Sequence, residues 1–400
     1  MPATPLAVLD LVPISSGSTA AQALRNSIDL ARQAERLGYT RYWFAEHHLN
    51  PGVAGSSPAV VLALTAAATS TIRIGSGAVQ MGHRTALSVV EEFGLIDALH
   101  PGRLDLGLGR SLGRPSRPGE PAPAGDGRTG SGPTGGGPAG SGPTGSAPAA
   151  DPAPANGRAP AGLLIPPRFS PAGLLKSPRV ALQRALLQLP HAEPQNYTEQ
   201  VGDVLALLHG SYRSADGVPA QPVPGQNADV QVWILGSSGG ESAEVAGRNG
   251  LRFAANYHVS PATVLEASDG YRAAFRPSAE LDRPYLSVSA DVVVGPDEAT
   301  ARELATGYGL WVRSIRSGDG AIEFPTPQQA RAWPWTEADR ALVADRTDTQ
   351  FVGSAAQVAD QLERLRDATG ADELVVTTIT HEHADRVRSY QLLAEEWSRR

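Results

Sequence analysis

IRIGSGAVQMGHRTALSVVEEFGLIDALHPGRLDLGLG, residues 72–109, contains two short apolar runs separated by a longer helical pattern. The runs at 72–79 and 103–109 have the length and apolar content of buried parallel strands. Residues 85–99 fit a helix between them. Because two parallel strands need a crossover connection, this stretch predicts a strand-helix-strand unit of an α/β fold.

The same alternation extends towards the N-terminus. LAVLDL at 6–11 and RYWFAE at 41–46 predict two further strands. A helix over 19–37, stopped by Gly38, separates them, and a second helix starting at Ser56 or Ser57 runs to about Thr69. The first 110 residues therefore contain four strand-helix alternations with short connections.

Four more strands are predicted in the second half, at 230–235, 251–256, 286–294 and 373–379. Eight alternations fit a closed (β/α)8 TIM barrel, and we expect residues 1–400 to form one such domain with its active site at the C-terminal ends of the strands. A doubly wound open sheet is the competing architecture. It requires a Gly-rich dinucleotide turn after the first strand, and LDLVPISSGS has no GxGxxG.

Residues 113–161, after the fourth strand, interrupt the pattern with Gly, Pro, Ser and Ala and almost no large apolar side chains. Such a segment cannot offset its ordering entropy by burial. We expect a disordered insertion here, with a functional lid as the alternative.

The composition excludes several classes of protein. The chain has no cysteine, which rules out disulfides, thiolate nucleophiles and sulfur-ligated metals. A net charge of -7 and a pI near 5.7 do not suit nucleic-acid binding. Neither a signal peptide nor a membrane-spanning run is found, so a cytoplasmic location is expected.

Glu46, His47 and His48 follow the second strand, at the rim where the active site is expected. A histidine there can act as a base or proton donor, and Glu46 can orient it or stabilise its charge. Ordinary loop histidines or a metal pair are the alternatives. Adjacent strand residues point to opposite faces, so His47 and His48 are poorly placed to share a metal ion, and none is expected.

Two turns are suited to an anion. Arg110, within GLGRS at 107–111, offers a guanidinium beside glycine, and GSSGGES at 236–242 offers hydroxyls at a helix start. Taken alone, the second turn is more often a helix cap than a phosphate site. Two anion-suited turns on one face nevertheless favour a shared, phosphorylated cofactor.

Further candidates follow other strands. Gly75, Gly77 and Ala78 are small enough for a planar group to pack on the backbone, or they mark a bulge. Five more polar residues are weaker candidates for the pocket: Asn256, Tyr257, His258, His381 and His383.

Together, RYWFAEHH, IRIGSGAV, HPGRLDLGLGR and VWILGSS resemble the luciferase-like flavin-dependent monooxygenases, particularly single-chain members of bacterial secondary metabolism. The resemblance covers residues 5–112 well and 195–398 more loosely. It implies a (β/α)8 barrel that binds reduced FMN, reacts it with dioxygen and uses the resulting flavin peroxide to oxidise a small organic substrate. A separate flavin reductase and a homodimer are the expected partners.

The resemblance also implies roles for individual residues. His47 corresponds to a base or proton shuttle near the flavin, and Arg110 to a phosphate-binding arginine. The family's Glu-Ser phosphate turn appears here as Gly236-Ser237, followed by Ser238, so its carboxylate is missing. Gly77 and Ala78 match the place where some relatives have a non-prolyl cis peptide under the isoalloxazine ring.

Two rival functions are open at this point. The same barrel family includes deazaflavin-dependent dehydrogenases, which transfer hydride without oxygen. A non-catalytic flavin-binding protein is the other, since the carboxylate of the phosphate turn is absent. The presence of His47 and Arg110 favours an enzyme.

Overall fold

The computed structural model describes residues 4–110, 157–188 and 195–400. Within these ranges eight parallel strands pair in chain order and close into a barrel, with Leu6 of the first strand opposite Leu374 of the last. The predicted (β/α)8 barrel is therefore confirmed. Its strands are β1 Leu6–Asp10, β2 Arg41–Phe44, β3 Arg73–Ser76, β4 Leu104–Gly109, β5 Val230–Gly236, β6 Arg252–Asn256, β7 Leu286–Gly295 and β8 Glu373–Thr377.

Helices surround the barrel and cover part of its mouth. The first begins where the sequence predicts, because the Thr19 hydroxyl accepts a hydrogen bond from the Gln22 N–H, and it stops before Gly38 at φ +82°. The helices are α1 Ala20–Arg36, α2 Pro58–Ala66, α3 Ala86–Leu99, α4 Ala172–Leu175, α5 Pro178–Leu187, α6 Tyr197–Leu208, α7 Glu241–Arg248, α8 Val264–Ala274, α9 Glu298–Ala305, α10 Gly307–Arg316, α11 Pro327–Ala332, α12 Glu337–Thr347, α13 Ala355–Thr369 and α14 His383–Trp397. None of the helices in the described ranges is long and apolar enough to cross a bilayer.

The strand residues alternate between two apolar layers. Leu9 and Trp43 pack inside the barrel with Trp233, whereas Val8 and Tyr42 pack outwards under the helices. Both faces of each strand are therefore buried, which is why the strands read as nearly continuous apolar runs.

A charged cluster fills the barrel at the N-terminal ends of its strands. The Nε of Arg41 donates to Glu373 at 2.9 Å, and its Nη1 donates to Asp105 at 2.9 Å and to Gln231 at 2.9 Å. The guanidinium also lies 4.9 Å from the ring centroid of Trp233. These contacts neutralise a buried arginine and form the floor of the barrel.

The connection between β7 and β8 contains more elements than the sequence pattern indicated. The helix expected over 298–313 divides at Thr306 into α9 and α10, and α11, α12 and a short strand Phe351–Ser354 follow. Tyr308 and Trp311 of α10 join the interior apolar cluster with Leu9 and Leu11. This insertion therefore covers one side of the barrel mouth.

The Gly/Pro-rich insertion predicted over 113–161 lies, from 113 to 156, outside the described residues. Gly157–Arg158 pairs with Leu164–Ile165 in a small antiparallel ladder. The chain from 157 to 188 then reaches the loop after β2, where Arg179 donates to the Leu49 carbonyl and to the Asn50 side chain at 2.7 Å.

Candidate active site

The predicted residues Glu46, His47 and His48 follow β2, and their side chains point to two different sides of the chain. Trp43 and Ala45 pack inside the barrel, and His47 continues that face by the two-residue period of a strand. Glu46 and His48 turn the other way and bond to each other, with His48 Nε2 2.8 Å from Glu46 Oε1. His47 is thus the histidine that faces the barrel mouth.

The buried Glu46 carboxylate is fully engaged. Its Oε1 accepts hydrogen bonds from His48, from His83 Nε2 at 3.0 Å and from Arg84 Nη2 at 3.1 Å, and its Oε2 accepts from the Gln80 N–H at 2.8 Å. Burial alone would raise the pKa of Glu46, but these hydrogen bonds and the Arg84 charge hold it well below its usual range. Glu46 is therefore ionised, and the histidines that bond to its carboxylate are His48 and His83, whereas His47 does not.

The atoms of Glu46, His48 and His83 are also spaced as metal ligands could be. One ligand atom from each lies within 4.8 Å of the others. Arg84 donates to the same carboxylate oxygen, and a cation there opposes binding of a second one. Hydrogen bonds from His48 and His83 to Glu46 connect the three side chains.

His47 is held in its neutral form. Burial, with a smaller effect from His48 and partial opposition from Glu46, lowers the pKa of His47 to about 4. Its Nδ1 is buried and makes no hydrogen bond with any described residue. Near neutral pH this imidazole can therefore accept a proton from a bound ligand or hydrogen-bond to it.

Arg110 and the turn at 236–238 lie side by side on the same rim. β4 and β5 are paired with Gly109 opposite Leu235, so each chain leaves its strand at the same height. Ser237 is exposed, whereas Ser238 is buried and its hydroxyl accepts from the Gly240 N–H at 3.4 Å. The N-terminus of α7 follows directly, which adds backbone N–H groups and a favourable dipole for an anion.

A carboxylate is present beside Arg110 although the turn itself lacks one. Glu241, the first residue of α7, accepts a hydrogen bond from Arg110 Nη1 at 3.0 Å and from the Thr198 hydroxyl at 3.3 Å. The resemblance places the carboxylate directly before Ser237, whereas Glu241 stands four residues after it. The sequence analysis therefore did not identify Glu241 as the partner of Arg110.

The peptide bond between Gly77 and Ala78 is cis, in the place where the resemblance puts such a bond. A Cβ added at Gly77 would lie 2.8 Å from Leu9 Cδ1, so a side chain there would require Leu9 to shift. A Cβ at Gly109 would lie 3.0 Å from Ala78 Cβ, so β3 and β4 approach closely at this rim.

Of the five weaker candidates, His258 and Asn256 contact residues of the neighbouring strands, and the other three bond to residues of other segments. His258 contacts Ser289, with 2.6 Å between its Nδ1 and the serine Oγ, and Asn256 donates to the Gly236 carbonyl at 3.3 Å. His383 instead pairs with Asp29 of α1, and Tyr257 donates to the Leu164 carbonyl. His381 is hydrogen-bonded to Ser16.

A second charged group near the mouth was missed because its members come from distant segments. Asp291 at the end of β7 accepts from the Tyr308 hydroxyl and from Arg346 Nη2, at 3.2 Å for the arginine. Arg346 Nη2 also donates to the Tyr308 oxygen at 2.7 Å. No local motif signals such a trio.

Comparison with known proteins supports the same family as these residues. The model of the family described as luciferase-like monooxygenase matches residues 4–129 and 190–373. A protein named luciferase-like monooxygenase from Escherichia coli (strain K12) is 30% identical over 386 residues, covering 96% of this chain and 94% of its own. The crystal structure of apo-MsnO8 is 30% identical, has a TM-score of 0.73 and covers 99% of this chain and 98% of its own.

Two solved structures of lower identity share the fold alone. One is the oxygenating constituent of 3,6-diketocamphane monooxygenase from Pseudomonas putida in complex with FMN, at 15% identity and a TM-score of 0.61, covering 100% of this chain and 99% of its own. The other is an F420-dependent secondary alcohol dehydrogenase, at 13% identity and a TM-score of 0.57, covering 99% of each chain. With its barrel, its rim residues and these matches, the chain belongs to the luciferase-like monooxygenase family.

Proposed function

We propose that this protein is a flavin-dependent monooxygenase that uses reduced FMN and dioxygen to oxidise a small organic substrate. The observation that carries the proposal is the position of Arg110 beside the 236–238 turn, on the same rim as His47. A cofactor that carries both groups could place its phosphate at Arg110 and the 236–238 turn, and its ring system near His47.

The residues present fit FMN. Arg110, with the hydroxyl of exposed Ser237 and the start of α7, would hold the phosphate through charge-assisted hydrogen bonds. The ring would lie against the backbone at Gly77 and Ala78, next to Gly109. When bound, reduced flavin supplies the electrons that activate dioxygen.

The chain's own residues would control protons and water. His47, neutral near pH 7, can take or hold a proton at Nδ1, which makes no hydrogen bond with any described residue. Helices α10 to α12 and the segments that join them would cover one side of the opening with apolar and aromatic side chains such as Trp311 and Phe324. Excluding water protects a reactive cofactor from side reactions.

An anaerobic titration followed by air tests the function. The protein is titrated with reduced FMN and, in parallel, with the reduced deazaflavin F420, and binding is followed by flavin fluorescence. The proposal expects tight binding of FMN only, and on admission of air a transient absorbance that free reduced FMN lacks.

The same titration decides between the rivals. A deazaflavin-dependent dehydrogenase, which the fold likeness to an F420-dependent enzyme supports, would bind F420 in preference to FMN. A non-catalytic flavin protein would bind FMN but reoxidise it with the time course of free flavin. Either result contradicts the proposed oxygenase.

The proposal includes two protein partners. A separate reductase would supply reduced FMN, as the resemblance to the family implies. A second copy of the chain would cover the apolar side chains that neighbouring helices α2 and α3 leave exposed, because apolar patches of this kind mark protein contacts. They are Val60, Leu64, Leu87, Leu95 and Leu99.

A further inference from the structure

His258 is held in a fixed orientation at the end of β6. Its Nδ1 lies 2.6 Å from Ser289 Oγ, and its backbone N–H donates to the Ser289 carbonyl at 3.1 Å. Ser289 is itself buried in β7, only 7% exposed. With Nδ1 engaged by Ser289, the remaining ring nitrogen, Nε2, makes no hydrogen bond with any residue that the structure describes.

His258 stands across the barrel from His47. β2 and β6 are separated by three strands in either direction around the ring of eight, so the chain segments that follow them lie on opposite sides of the mouth. The two imidazoles are nevertheless close enough for the charge of His47 to lower the pKa of His258. The proposed substrate site lies between these two segments.

The groups that face His258 keep it uncharged. Burial first, then Arg346 and His47, lower the pKa of His258 to about 3. Arg346 is itself paired with Asp291 and Tyr308, while Ser289 and Asn256 are uncharged. This wall of the mouth thus carries hydrogen-bonding groups with little net charge.

We propose that His258 is a second catalytic residue: with the Ser289 hydroxyl donating to Nδ1, Nε2 carries the ring proton and donates a hydrogen bond to an uncharged oxygen of the substrate, a carbonyl or a hydroxyl, opposite His47. Ser289 is the positioning residue that fixes the ring. The inference rests on the proposed function, because it places the substrate between the His258 wall and a flavin held by Arg110.

A purely structural His258 would only tie β6 to β7 through Ser289. Two isosteric replacements separate these roles. The amide of His258→Asn lies near the position of Nδ1 and can keep the Ser289 contact, whereas the amide of His258→Gln reaches near the position of Nε2. A catalytic role requires the second position, and a structural role requires the first.

The test measures binding of 2-heptanone to the FMN-loaded protein through the change in flavin absorbance, with hexanoate as a charged probe of similar length. For wild type we expect saturable ketone binding and hexanoate binding at least about tenfold weaker. His258→Ala and His258→Asn should weaken ketone binding by about tenfold, the effect of losing one hydrogen bond. His258→Gln should lie within about threefold of wild type, and Ser289→Ala between wild type and His258→Ala.

The affinity for FMN, measured on each variant without the ketone, should not change. The proposal is overturned if His258→Asn binds ketone like wild type, if wild type binds no ketone, if hexanoate binds as well as ketone, or if the His258 variants lose FMN together with ketone. If the wild type itself does not bind FMN, the proposed function on which this inference rests is overturned instead.

Discussion

Arg110 and Glu241 stand 131 positions apart in the chain, yet the guanidinium Nη1 of the first lies 3.0 Å from the carboxylate Oε2 of the second. Both side chains are 39% exposed, so the pair itself adds little to stability. Its importance is that a carboxylate holds the cation that the proposed phosphate needs.

Replacing Glu241 should therefore tighten FMN binding. In Glu241→Gln the amide can still approach Arg110, but the negative charge that repels the phosphate is gone, and we expect a gain of about 0.5–1 kcal/mol at low salt. Fluorescence titration with FMN at two salt concentrations measures the effect. Glu244→Gln, on the next turn of α7 and paired with Arg248, is the matched control. Weaker binding in Glu241→Gln would show that Glu241 is needed to orient Arg110.

Removing Arg110 should have the opposite and larger effect. Arg110→Ala is expected to weaken FMN binding by about 1.5–3 kcal/mol, the range for a hydrogen bond to a charged group. Riboflavin, which lacks the phosphate, should bind both forms equally. Arg248→Ala at the other end of α7 serves as the control. Unchanged FMN affinity in Arg110→Ala would place the phosphate elsewhere.

His47 should matter for the reaction and not for folding. His47→Ala is expected to keep its thermal unfolding temperature and FMN affinity, while oxygenation slows by about 10²–10⁴-fold, the usual contribution of a positioned acid or base. Stopped-flow oxidation of the bound reduced flavin measures this, with exposed His209→Ala as the control. Full oxygenation activity in His47→Ala would remove the proposed role.

The two mouth histidines should make the protein less stable in mild acid. Their pKa values are about 4 and about 3 in the folded chain, against roughly 6.5 in an unfolded one. Below about pH 6.5 the unfolded chain binds protons that the folded chain does not, so the free energy of unfolding falls as the pH decreases. For each histidine, every unit of difference between its folded and unfolded pKa corresponds to a loss of at most roughly 1.4 kcal/mol in the free energy of unfolding at low pH.

Urea unfolding at pH 7.5 and pH 5 measures this dependence. The double variant His47→Gln, His258→Gln should lose less stability between the two pH values than wild type, while His209→Gln should behave as wild type. An equal loss in the double variant would show that these histidines are protonated in the folded state.

The exposed apolar face of α2 and α3 predicts a change of assembly. Leu64→Glu with Leu95→Glu, both more than half exposed, should convert a dimer to a monomer without lowering the unfolding temperature of the monomer. Sedimentation velocity distinguishes the two states. Val218→Glu, equally exposed but on a distant loop, is the control. A wild-type monomer at micromolar concentration would contradict the homodimer.

The sequence predicts those parts of the site that depend on local periodicity. The eight apolar runs locate the strands because both strand faces are buried, and the alternation along β2 separates His47 from His48. The strand ends are less predictable. β2 stops at Phe44, earlier than its apolar run indicated, and β3 stops at Ser76 before pairing resumes with Val79 opposite Leu108.

Long-range partners could not be predicted. His83 reaches Glu46 from 37 positions away, and Arg346 reaches Asp291 from 55 positions away. Such pairs depend on how loops fold over the rim, which no single segment encodes. The insertion with α11 and α12 was missed for a related reason, since short helices capped by Thr326 and Thr336 give little periodic signal.

The arginine cluster at the floor gives the barrel a single port. Arg41, Asp105 and Glu373 fill the end of the barrel at the N-terminal ends of the strands. In the described part of the barrel, cofactor and substrate would therefore both enter at the other end, through the mouth. If the proposed flavin binds against β3 to β5, the substrate has to enter through the rest of the mouth. We therefore expect ordered binding, with the flavin first and the substrate second. Departure would follow the reverse sequence, and the turnover rate would depend on how quickly the oxidised product clears that passage.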